Sequence, residues 1–227
     1  NDATVPKHLG AKSRWIVQGF HDPDIAILNR SVPTPETADV PMALQMIASI
    51  LGRARIGDVK SAFMQGEKGQ RAEPLFASMP KGGIPGIPED EDVLIELLGE
   101  VYGLITGPPG WRKTLFTELK RLDFKNHPLA PCVVLMYEEN SLTGVVVVET
   151  DDLLMGGIGE KFENAIEALR KTFNFGSWTD LMGVAKEYGG RTIKQLDDCG
   201  FHITMTRYLK NRAREITLSK GRCKSQN

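Results

Sequence analysis

Four consecutive valines, Val145 to Val148, run towards two adjacent aspartates, Asp151 and Asp152. The apolar run from Leu142 to Val148 is strand-sized, and continuous valines mark a strand buried on both faces. Two carboxylates held a few ångströms apart resist ionising together unless a cation or a base lies between them. The fold therefore either brings such a group to this strand end or leaves the pair in a solvated turn, a place that Asp favours.

A second acid ends a second short apolar strand. Residues Arg55 to Val59 contain Ile56-Gly57-Asp58-Val59. The surrounding pattern relates the two strands. Thr37 to Leu51 reads as a helix, with Ala38, Met42, Met46 and Ile50 on one stripe and Pro41 in its first turn. Pro109 to Leu122 reads as another, with Trp111, Leu115, Leu119 and Leu122 on one face. Cys132–Tyr137 and Gly144–Glu149 read as strands joined by the hairpin signature Glu138-Glu139-Asn140-Ser141. Glu160 to Phe173 reads as a helix turning Phe162, Ile166, Leu169 and Phe173 inward, and residues 191–196 and 201–206 as a last hairpin. Arg14 to Phe20 is a strand candidate, Val93 to Leu98 a strand or short helix, and residues 64–92 a long Gly- and Pro-rich loop of the functional or mobile kind.

From Arg55 onward the order is strand, helix, strand, strand, helix, strand, the ferredoxin-like split βαβ pattern. The expected fold class is α+β: an antiparallel sheet with two helices on one face, plus N-terminal strands and loops. In that order the Asp58 strand lies beside the Asp151-Asp152 strand, and three carboxylates meet at one sheet edge. Such an oxygen cluster suits Mg²⁺, and two metals about 3.5–4 Å apart can activate an attacking oxygen and stabilise a leaving one.

Composition narrows the classes. The chain has 227 residues, 41% hydrophobic and 25% charged, enough for a real core. No segment reaches the ~20 apolar residues of a membrane-spanning helix. Three cysteines (Cys132, Cys199 and Cys223) without CxxC spacing argue against a disulfide framework or a zinc site, and suit a reducing intracellular compartment. The net charge of −1 hides an asymmetry: residues 207–227 hold seven bases against Glu215 alone, which leaves residues 1–206 at −7. Six acids between Glu89 and Glu100 read as a solvated edge. An acidic body is unlike a free-standing nucleic-acid binder and suits a fragment with missing basic neighbours, or carboxylates that hold cations.

Four ordered motifs resemble the reverse transcriptase of copia-type long-terminal-repeat retrotransposons. Lys12-Ser13-Arg14-Trp15-Ile16-Val17-Gln18-Gly19-Phe20 is similar to the family's Lys-x-Arg opening, and Gly57-Asp58-Val59-Lys60-Ser61-Ala62-Phe63-Met64-Gln65-Gly66 to its Asp-Val-Lys-x-Ala-Phe-Leu-x-Gly motif. Val101-Tyr102-Gly103-Leu104 with Pro108 and Trp111 resembles its Leu-Tyr-Gly-Leu-x-x-x-Pro-x-x-Trp motif. Asp151-Asp152-Leu153-Leu154 resembles its Tyr-Val-Asp-Asp-Leu-Leu box, 93 residues beyond Asp58.

The resemblance implies an RNA-directed DNA polymerase fragment with a fingers-like part over residues 1–54 and a palm over 55–206. The palm would carry the inserted loop 64–92 and a fingers–palm junction at 93–106. Residues 207–227 would be a basic lead-in to a thumb, although they also read as a frayed solvated tail. It implies a primer 3′-hydroxyl attacking the α-phosphate of a deoxynucleotide in line and displacing pyrophosphate. Asp58 and Asp151 would hold Mg²⁺, with Mn²⁺ as the substitute, and Asp152 would support them. Lys12 and Arg14 would grip the triphosphate, Phe63 would exclude a 2′-hydroxyl, and Tyr102 and Gly103 would line the floor under the incoming base pair. Without the resemblance, Lys12 and Arg14 read as a wet strand face, and Phe63 and Trp111 as core. The implied partners are an RNA or DNA template-primer, dNTP and the remaining polyprotein domains (thumb, RNase H, integrase). The implied location is cytoplasmic, in a virus-like particle, with the nucleus as a second site.

Two stretches depart from the family pattern. Glu149-Thr150 stands where the family has Tyr-Val, and Ile105 to Gly110 lacks two of its bases. A decayed remnant acting only as a nucleic-acid-binding or interaction module is therefore the alternative. An unrelated two-metal phosphohydrolase is a third reading, and it leaves Phe63 unexplained.

Overall fold

The computed structural model describes residues 14–28, 30–67, 73–80, 82–84, 86–87 and 93–214. After a 3-10 turn at Gly19–His21 come α1 (Asp39–Ser49), β1 (Arg53–Val59), α2 (Ala62–Gln65), β2 (Phe76–Ser78), β3 (Leu94–Glu96) and α3 (Gly107–Arg121). Next are β4 (Lys125–Asn126), β5 (Val133–Glu138), β6 (Ser141–Glu149), β7 (Asp152–Gly157) and α4 (Gly159–Thr172). The chain continues through β8 (Phe175–Asp180), β9 (Lys186–Tyr188), β10 (Arg191–Gln195), β11 (Phe201–Thr204) and α5 (Thr206–Arg212). It is mixed α and β, and every pairing between its strands is antiparallel.

The main sheet has six strands in the order β4-β5-β6-β7-β1-β8. The β6–β7 hairpin turns at Thr150 and Asp151, and β7 then pairs with β1 along its whole length. The four strands β8-β1-β7-β6, with α3 and α4 as the crossovers, follow the split βαβ order. The fourth strand of that pattern is β8, not the expected strand at 191–196. That segment is β10, in a separate β11-β10-β9 sheet. Residues 175–180 alternate poorly, with all but Gly176 half-buried, so they carry little periodic signal.

The valine run alternates between two cores, as a strand buried on both faces must. Val146 and Val148, with Leu153 and Met155, meet Trp111, Leu115 and Leu119 of α3 and Phe162, Ile166 and Leu169 of α4. Val145 and Val147, with Leu154 and Ile56, meet α1, Leu181 just after β8, and the three-stranded sheet through Tyr188 and Ile193. The two expected helices lie on one face, and the opposite face is also covered. No side chain caps α1 or α3, so packing rather than capping holds them, at roughly 1.5–3 kcal/mol per fully buried aliphatic side chain. Pro108 and Pro109 fall in the first turn of α3, where a missing N–H has no intrahelical partner to lose.

Two other expectations change. The buried stripe of α1 is Val40, Ala43, Leu44 and Ile47, whereas Met42 and Met46 flank it. Residues 14–18 form no strand: they run as irregular backbone against residues 102–105, tied by Val17 N–H to the Tyr102 carbonyl at 2.9 Å. Among the described residues no helix is long and apolar enough to cross a membrane.

Candidate active site

Three carboxylates stand abreast across neighbouring strands. In register, Asp58 of β1 faces Asp152 of β7, and Asp152 faces Glu149 of β6. Side chains so paired lie about 4.5–5.5 Å apart at Cβ. Asp151 sits in the turn between β6 and β7. A register shift between Asp58 and Val59 in the β1–β8 pairing marks a bulge, a device that re-aims a side chain at a strand end. The Asp58 carboxylate lies over Gly176, where a Cβ would meet Oδ2 at 2.9 Å.

The turn is fixed by backbone bonds. Thr150 is left-handed, with φ +57°. Its carbonyl accepts the indole N–H of Trp111 at 2.7 Å. The Asp151 carbonyl accepts Val59 N–H at 2.8 Å. Trp111 was expected to be helix core and is buried, but its polar edge also holds the acidic turn. No residue pattern in the sequence signals that bond.

Burial and crowding raise the proton affinity of Asp151 and Asp152. Burial, then the charges of Asp151, Asp58 and Glu149, push Asp152 up to about 6, against the opposing pull of Lys186. Asp151 is also raised, by burial and the charge of Asp58, while a bond from its own amide and the charge of Arg14 pull the other way. Like charges without a counter-ion disfavour convergence. Among the described residues, no group of three His, Cys, Asp or Glu side chains is placed to hold a metal ion. The donor chemistry nevertheless fits one: hard oxygen ligands on adjacent strands with excess negative charge suit a divalent cation.

Beside the acids, Arg14 lies over the Tyr102 ring at 4.3 Å, and Tyr102 meets Phe63 edge-on at 5.8 Å. This brings three of the expected nucleotide residues together, with Arg14 close enough to act on Asp151. Gly103 is left-handed at φ +96°, and a Cβ there would fall 2.0 Å from the Val17 carbonyl oxygen. Gly103 thus serves the close approach of two backbone segments. Lys12 lies outside the described residues.

Sequence reasoning missed the surroundings of Asp152. Tyr188 is buried beneath it, its hydroxyl donating to the Val147 carbonyl at 3.0 Å. A cleft of about 330 Å³ opens there between the β9–β10 turn and α5, lined by Asp152, Tyr188, Arg207 and Tyr208 among others. Only the Gly189-Gly190 pair, a turn signal, hinted at this corner.

Comparison with curated proteins gives no match. A family model described as reverse transcriptase (RNA-dependent DNA polymerase) matches residues 1–225, nearly the whole chain. Its acids, abreast at a strand end beside an arginine–tyrosine–phenylalanine stack, therefore belong to a member of the reverse transcriptase family.

Proposed function

We propose that the chain is the RNA-directed DNA polymerase part of a copia-type retrotransposon polyprotein, with residues 1–54 as fingers, 55–206 as palm and 207–227 as the approach to a thumb. The observation that carries this reading is the register placing Asp58 opposite Asp152, with Asp151 held in the adjoining turn. The primer 3′-hydroxyl gives up its proton to solvent water, its oxygen bonds to the α-phosphorus of a dNTP, and the bond from the α-phosphorus to the bridging oxygen of the β-phosphate breaks to release pyrophosphate. Negative charge spreads over the phosphoryl oxygens in this transition state, so positioned positive charge governs the rate. Asp58 and Asp151, supported by Asp152, would hold Mg²⁺ or Mn²⁺, which supplies Lewis acidity to the attacking and leaving oxygens when bound.

The chain's own groups do the rest. Arg14 presents a guanidinium fork that suits bidentate phosphate contact, held in place by its stacking on Tyr102. Lys12 is assigned to the same triphosphate. Phe63, edge-on to Tyr102, walls the sugar side, and Gly103 lets the backbone lie flat beneath the base pair. Template-primer and dNTP are the substrates, and the other polyprotein domains supply the basic surface that residues 1–206 lack.

Primer extension tests the reading. Oligo(dT) on poly(rA) should be extended with Mg²⁺ or Mn²⁺, and Asp151→Asn should abolish extension. An absence of extension at every metal concentration would instead support a non-catalytic remnant.

A further inference from the structure

The two peptide groups flanking the Cα of Asp151 are both anchored, and by different parts of the fold. The Thr150 carbonyl, on the N-terminal side, accepts the Trp111 indole N–H from α3 at 2.7 Å. The Asp151 carbonyl, on the C-terminal side, accepts Val59 N–H from β1 at 2.8 Å, one residue beyond Asp58. The second bond is ordinary ladder continuation. The first is not: it is a side chain reaching 39 residues along the chain to hold a left-handed threonine. A left-handed β-branched residue is strained and persists only where its surroundings over-determine it. We propose that Trp111 is a positioning residue for catalysis, its indole N–H holding the Thr150–Asp151 peptide so that the Asp151 carboxylate stays beside Asp58. This inference rests on the polymerase reading for its catalytic consequence.

Packing alone does not require the N–H. The Trp111 ring is buried and sits edge-on to Phe173 at 5.0 Å, contacts that a phenyl ring largely reproduces. Loss of the N–H leaves the Thr150 carbonyl without this partner and frees the turn to relax. Misplacement of a catalytic group by about 1 Å can cost on the order of 100-fold in rate.

The test pairs Trp111→Phe, which removes the N–H and keeps a ring, with Phe173→Leu, which disturbs the same packing and keeps the N–H. In single-nucleotide extension, Trp111→Phe should lower kcat about 10- to 100-fold and leave KM for dNTP within about threefold. Phe173→Leu should melt at a lower temperature and keep its kcat. In amide NMR spectra, Trp111→Phe should shift Thr150, Asp151 and Asp152 and leave Ile193 unmoved. Wild-type kcat in Trp111→Phe, or an equal loss of kcat in Phe173→Leu, overturns the proposal. Should the unmodified protein not extend a primer, the polymerase reading fails separately. The amide shifts then decide whether Trp111 holds the turn, and unmoved Thr150 and Asp151 resonances overturn it.

Discussion

Asp58 and Asp152 occupy directly opposed positions on β1 and β7, and Glu149 extends the same row onto β6. Among the described residues no base stands in that row, and the charge of Lys186 partly offsets the acids around Asp152. The arrangement costs the folded state something that a divalent cation would return, because it holds acids in a half-buried place where their charges oppose one another.

The cost has a definite pH signature. Asp152 titrates near 6 when folded and near the ordinary carboxylate value of about 3.9 when unfolded. Between those values the folded state binds more protons, so the contribution of Asp152 to stability falls as pH rises from about 4 to about 6 and stays low above. Asp152→Asn removes the ionisation. In EDTA its stability relative to the unmodified protein should increase from pH 4.5 to pH 7.5, measured by urea denaturation. Added Mg²⁺ at pH 7.5 should narrow that gap, since only the intact acid row gains from binding. A gap that stays constant or shrinks with pH would remove the electrostatic account of the site.

Phe63 and Tyr102 supply the second prediction. Their rings meet at 61° and 5.8 Å, next to Arg14. If Phe63 walls the sugar side of the nucleotide, Phe63→Ala should admit a 2′-hydroxyl. Discrimination between dTTP and UTP should then drop at least about tenfold, roughly 1.4 kcal/mol, with dTTP incorporation largely kept. Extension assays with the two nucleotides measure it, and unchanged discrimination takes Phe63 out of the site.

The sequence revealed elements with strong periodicity. The valine strand, its hairpin partner at Val133–Glu138 and the helices α3 and α4 lie close to where alternation and 3.6-residue spacing put them. Elements without period were lost: β8 carries a glycine and half-buried residues throughout, and β9 has three residues. The meeting of Asp58 with Asp151 and Asp152 is legible because strand adjacency follows from topology, and the likeness to a known polymerase points to the same three acids. Glu149, a departure from that likeness, is a carboxylate expected to perturb the neighbouring aspartates, and its charge does act on Asp152. The stretch 14–18 misled because apolar residues suggest a strand, whereas its backbone packs on Gly103 through a contact that only glycine permits. The Trp111–Thr150 bond joins distant positions through a carbonyl, and carbonyls leave no mark in a sequence.

Gly103 tests whether that backbone contact serves nucleotide binding. Its φ of +96° and the 2.0 Å from a built Cβ to the Val17 oxygen leave no room for alanine, and on the other side a Cβ at Gly19 would sit 2.1 Å from the Gly103 oxygen. In Gly103→Ala the segment bearing Arg14 must move away from Tyr102, with the loss of the 2.9 Å bond from Val17 N–H. Left-handed strain and steric overlap together should cost about 1–3 kcal/mol of stability. KM for dNTP should also rise, because the guanidinium leaves its ring. Arg14→Ala separates the two effects. Arg14 is exposed, so its loss should leave thermal stability nearly unchanged while raising KM about tenfold or more. Steady-state extension and thermal melts on both variants are the measurements. If Arg14→Ala keeps its KM, residues 14–19 are a structural strap and take no part in gripping the triphosphate. If Gly103→Ala loses stability with KM unchanged, the strap moves without carrying the nucleotide site.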